Sequence, residues 1–124
     1  MIAEMLLAAA LQAATTDPIE DACYDRDHSQ QAMNICAGDA FERADAELNR
    51  HWRELVDSYS DVPEMKALLV EAQRGWLKYR DSQCELAAFD SRGGSMWPMV
   101  ISGCKADLTR KRTAEIVELL GQGE

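Results

Sequence analysis

Clustered metal ligands, a long apolar run, a basic excess and a phosphate-binding glycine loop are all missing from this 124-residue chain. Only two histidines occur, His28 and His51, and the four cysteines form no Cys-x-x-Cys pair, so zinc-ligand spacing is absent. Both histidines stand among charged neighbours with no evident nucleophile to activate. Helical spacing puts most of the carboxylates on solvated faces, which gives no basis for a glycosidase pair. Gly93-Gly94 lacks the further glycine and the lysine of a phosphate cradle. An enzyme is therefore not expected, and nothing asks for a cofactor or a metal. The main apolar run, Met5 to Ala14, is too short to span a bilayer. Acids outnumber Lys and Arg by 22 to 13, a formal net charge of −9, which disfavours nucleic acid and anionic lipid as partners.

The residues that are present point first to a redox compartment. Cys23, Cys36, Cys84 and Cys104 lie in a chain with room for one domain, small enough to profit from staples, and read as two disulfides formed in an oxidising environment. The alanine-rich run ends in small residues, so residues 1–14 read as a signal peptide, although Glu4 and the absence of Lys or Arg are atypical. Glu20-Asp21-Ala22 ahead of Cys23 does not form a lipoprotein cleavage site, so no lipid anchor is expected. Charge is unevenly placed: residues 15–64 hold 13 acids and 4 bases, residues 65–124 hold 8 acids and 9 bases. An acidic half of this kind speeds encounter with a cationic partner, an effect that salt weakens, with simple solubility as the plain alternative.

Periodicity then sets the architecture. Residues 15–28 are polar, contain Pro18 and show no apolar period, so they read as an extended arm held by Cys23. A first helix of about 30 residues follows from Ser29 as N-cap, with the stripe Met33, Ala37, Ala40, Phe41, Ala44, Leu48, Trp52, Leu55, Val56, Tyr59. Asp61, Pro63 and Glu64 mark the next start, in a capping-box relation. The second helix runs to about Asp90 on the stripe Met65, Leu68, Leu69, Ala72, Trp76, Tyr79, Gln83. Arg92 to Pro98 reads as a glycine turn, and a third helix spans about Pro98 to Leu120, ended by Gly121. The expectation is an all-α protein, a three-helix antiparallel bundle with two disulfides, forming a single domain over residues 29–121. This layout favours Cys23 with Cys36 and Cys84 with Cys104, loops of 13 and 20 residues contributing about 3 kcal/mol each, although sequence permits three connectivities.

Polar residues within the apolar stripes are the first candidates for a special role. Arg80, four residues from both Trp76 and Cys84, is expected to be desolvated and to need an acid, for which Asp45 is the first choice. Asp45, Asn49, Gln73, Arg80 and Arg112 together form either a ligand site or, as the better reading, a satisfied network that fixes helix register. The braced turn Gly93, Gly94, Ser95, Met96, Trp97 is the second candidate, as a rigid presented surface.

A family resemblance rests on these residues. Cys36-Ala37, Ala44-Asp45, Leu48-Asn49, Ala72-Gln73-Arg74, Trp76, Tyr79-Arg80-Asp81, Cys84, Gly93-Gly94-Ser95, Pro98, Cys104, Thr109 and Arg112 occur in an order that resembles the lysozyme inhibitor LprI-like family. The resemblance covers about residues 23–120 and implies a helical, disulfide-braced, periplasmic or secreted protein. It also implies a cationic protein partner such as lysozyme, inhibited by occlusion. Under that reading Glu47, Glu54 and Asp57 steer the enzyme and the Gly93 to Trp97 loop covers its cleft. The alternative is a periplasmic binding or adaptor module with a ligand in the polar seam.

Overall fold

The structure, a computed structural model, describes residues 17–122; the signal-peptide reading of residues 1–14 lies outside them. The chain forms α1 (Pro18–Arg26), α2 (Gln30–Ser58), α3 (Pro63–Ala87), a 3-10 turn (Phe89–Ser91) and α4 (Trp97–Gln122), with no strand among the described residues. Four helices thus stand where three were expected, because the supposed extended arm is α1. Asp17 caps it, accepting from the amides of Ile19 at 3.0 Å and Glu20 at 3.2 Å. Pro18 opens the first turn, Glu20 and Asp21 favour its positive end, and Arg26 its negative end. The helix buries no residue fully, so it leaves no apolar period to read.

Helix α2 starts where Ser29 predicts, its hydroxyl accepting from the Ala32 amide at 3.2 Å. Its buried face is Cys36, Ala37, Ala40, Ala44, Leu48 and Leu55, which meets Ile101, Ala106, Thr109 and Ile116 of α4. The small residues let these two helices pack most intimately. They run in the same direction: Asn34 lies by Ser95, Phe41 by Lys105, and Leu48 and Leu55 by Ile116. Helix α3 runs the opposite way, with Leu69 by Ile116 and Cys84 bonded to Cys104. The disulfides are Cys23–Cys36 and Cys84–Cys104, with Cα separations of 5.8 and 5.5 Å.

Three local expectations need correction. Helix α3 is entered from Val62 without a side-chain cap; the backbone bonds of the Tyr59–Val62 turn and the proline at its start replace the one assigned to Asp61. It ends at Ala87, and α4 begins at Trp97 and continues past Gly121 to Gln122. The buried stripe of α3 is Leu69, Gln73, Arg80 and Cys84, with Trp76 half-buried, whereas Leu68 and Tyr79 are exposed. The inward stripe carries polar groups that the other helices satisfy, and a second, partly apolar stripe is left facing outward.

Two apolar clusters result. Leu48, Leu55, Leu69 and Ile116 gather Trp52, Tyr59 and Trp76 at one end, and Cys84, Ala88 and Ile101 gather Trp97 and Val100 at the other. Arg80 and its partners lie between them.

Candidate functional site

The polar seam is built from three helices. The Arg80 side chain is only 9% exposed; its Nε donates to Asp81 at 3.0 Å, its Nη1 donates to Thr109 at 3.4 Å, and Asp45 stands 3.6 Å away. Its guanidinium packs between the rings of Phe41 and Trp76, at 5.1 and 5.3 Å from their centroids. Asn49 donates to Asp45 at 3.4 Å, and Arg112 donates to the buried Gln73 at 3.0 Å and pairs with Glu115. The seam is filled by its own side chains, and its donors are met by its own acceptors.

The 84–104 disulfide closes the loop at the other candidate. Gly93 has φ +79°, a conformation that side chains with a Cβ rarely adopt. The Gly94 amide donates to Ser91 O at 3.0 Å and the Trp97 amide to Gly94 O at 3.3 Å, which folds the segment into successive turns. Asn34 of α2 donates to the Ser95 carbonyl at 2.9 Å, so the loop is fixed to the helix beside it. Gly93, Gly94, Ser95 and Met96 are exposed, and Arg92 stacks on Phe89 at 4.4 Å. Trp97 differs, being half-buried against the Cys84, Ala88 and Ile101 cluster. The presented surface therefore comprises the glycines, Ser95 and Met96, while Trp97 anchors them.

The acids assigned to steering lie elsewhere. Glu47 stands thirteen residues beyond Asn34 on α2, about 20 Å along the axis, and Asp57 about 35 Å. Glu47 and Glu54 are both bound to Arg50, and His51 lies 3.0 Å from Glu47 and 3.6 Å from Glu54. The hydrogen bond from Arg50, only partly opposed by burial, holds the Glu47 carboxyl below its ordinary range. Asp57 is exposed. Loop and acids are thus not brought into one site, and two of the three acids spend charge on their own helix.

A further concave feature escaped the sequence reading. The N-cap Asp17 and Glu20, Asp21 and Tyr24 of α1 line, with Asp107 and Arg110 of α4, an open pocket of about 340 Å³. Arg110 reaches Asp107 at 3.1 Å, Glu20 at 3.2 Å and Asp17 at 3.5 Å, and Arg43 reaches Asp17 at 2.9 Å. Tyr24 donates to Glu20 at 2.6 Å, and burial followed by that bond to a carboxylate pushes its phenol well above the ordinary tyrosine value. These bonds dock α1 on the bundle. The signal that could have found them is Asp17-Pro18 followed by acids, a helix start without an apolar stripe.

The family model described as Lysozyme inhibitor LprI matches residues 21–116 of this chain. The protein belongs to the LprI lysozyme inhibitor family. The LprI match takes in all four cysteines, the polar seam and the loop. A protein of Rhizobium meliloti (strain 1021), described as uncharacterized, is 50% identical over 107 residues, with 77% of each chain covered. No solved structure matches the chain.

Proposed function

We propose that this LprI-family protein is exported to the periplasm or beyond and there binds and inhibits a cationic lysozyme. The observation that carries the reading is the family match over residues 21–116, which includes the braced loop. Two disulfides suit an oxidising compartment, and no helix among the described residues is long and apolar enough to cross a membrane. In this reading the rigid turn at Gly93 to Met96 meets the enzyme's cleft, because its backbone is fixed before contact and little ordering is left to oppose binding. The acids of the first half, among them Glu47, Glu54 and Asp57, supply the long-range field rather than the contact. A small ligand in the polar seam is disfavoured, since the seam's groups are engaged with one another.

Calorimetric titration against a basic muramidase tests the assignment. Affinity should fall from low to physiological salt as screening shortens the field. Ser95→Ala with Met96→Ala, which leaves Trp97 in place, should weaken binding at least about tenfold, about 1.4 kcal/mol. An unchanged affinity would remove the loop from the interface, and salt independence would remove the steering acids.

A further inference from the structure

Helix α3 carries a second stripe that the fold leaves bare. Leu68, Ala72, Gly75, Tyr79, Ser82 and Leu86 succeed one another at alternating steps of four and three, the spacing that lines the seam of a two-helix coiled coil. Its large members are strongly exposed, Leu68 at 62%, Tyr79 at 54% and Leu86 at 68%. Its small members carry a separate signal. Gly75 lies inside a helix, where glycine costs about 1 kcal/mol relative to alanine. Its φ is not positive, and a Cβ there would meet nothing within 4 Å. No contact within the chain requires a glycine at this position, whereas a helix approaching closely from outside would.

We infer that this face of α3 pairs with the same face of a second copy, antiparallel and about a two-fold axis. Size and charge choose the register. Centring the pair on Leu77 would set Lys78 against Lys78 and Glu71 against Glu85 of the second copy, which like charges oppose. Centring it between Arg80 and Asp81 sets Leu86 over Gly75 and Tyr79 over Ser82, each large side chain opposite a small one. In that register Lys78 flanks Glu85 of the second copy, and symmetry repeats the pair. Both residues are exposed, and neither enters an ion pair of its own chain among the described residues. In this register Leu68 lies beyond the paired stretch, which runs from Gly75 to Leu86 and is about 17 Å long. An interface of that extent belongs to a reversible dimer rather than an obligate one. The pairing stands independently of the lysozyme reading.

Sedimentation velocity on the oxidised protein over a hundredfold concentration range tests the inference, with circular dichroism to show that each variant is folded. The expected result is a reversible monomer–dimer equilibrium. Tyr79→Glu, Lys78→Glu and Glu85→Lys should each weaken it at least about tenfold, and combining Lys78→Glu with Glu85→Lys should restore it. A monomer throughout the range would overturn the inference. So would a dimer indifferent to Tyr79→Glu, or a double charge swap that fails to rescue. A monomer whose binding to lysozyme is lost with Tyr79→Glu would assign the stripe to that enzyme and also overturn the self-pairing.

Discussion

Arg80 shows how a full charge is kept inside a small helical domain. Two aromatic faces pack its plane, and three oxygens from two other positions of the bundle and its own helix take its donors. Removing it leaves both a gap between Phe41 and Trp76 and unmatched oxygens, so Arg80→Ala should cost about 2–4 kcal/mol in denaturant unfolding. Asp45 is 42% exposed, and Asp45→Ala should cost less than about 1 kcal/mol. Equal losses would mean that the ion pair, not the packing, holds the residue. The inward place of Arg80 was legible from its four-residue spacing to Trp76 and Cys84. Its bond to Asp81 was not, because adjacent residues on a helix do not face each other and only the long reach of the guanidinium joins them.

Asp17 offers a second test at this scale. Burial pushes its carboxyl up, but the Arg43 hydrogen bond and charge and the Glu20 and Ile19 amides outweigh that and hold it below its ordinary value of 3.8. A carboxyl lowered by folding stabilises the folded form above the ordinary value and loses that contribution as pH falls through its own lower value. Acidification below about pH 4 should therefore loosen α1 before the bundle. Amide exchange across residues 18–26 should rise while the α2 and α4 cores stay protected, and Asp17→Asn should flatten that pH dependence. Uniform opening of all four helices would contradict it.

At the scale of elements, caps and staples compete with apolar period as the source of order. Helix α2 was legible because a Ser29 cap and a long apolar stripe agree; α1 was not, because its nine residues are held by an aspartate cap, ion pairs and the Cys23 disulfide rather than by buried side chains. Helix α3 was legible in existence and, through Leu69, Trp76 and Arg80, in its inward side; Leu68, Ala72 and Tyr79 were misplaced because a second stripe shares the helix, and the one with Gln73 and Arg80 takes the core since Arg112, Thr109 and Asp45 are there to meet them. The Cys84–Cys104 bond closes a loop of twenty residues around the glycine turn. Cys84→Ser with Cys104→Ser should lower stability by about 3 kcal/mol and broaden the amide signals of residues 92–96. A stable variant with an unaltered loop would mean that Trp97 and Asn34 alone fix the turn.

For the whole molecule, the parallel α2 and α4 with α3 antiparallel follow from short connections, and that arrangement puts the 92–96 loop at one end. The acids proposed to steer and the loop proposed to make contact are separated by about 20 Å or more, since α2 carries Glu47 onward away from Asn34. Under the proposed function the acidic half would act at a distance and the loop by contact, two roles that salt and loop variants separate. The decisive experiment is lysis of cell walls by a basic muramidase, with the oxidised protein titrated in and the reduced protein as control. Inhibition of lysozyme requires a dose-dependent loss of lysis with the oxidised form that reduction abolishes; undiminished lysis at large molar excess across several lysozyme types would rule it out.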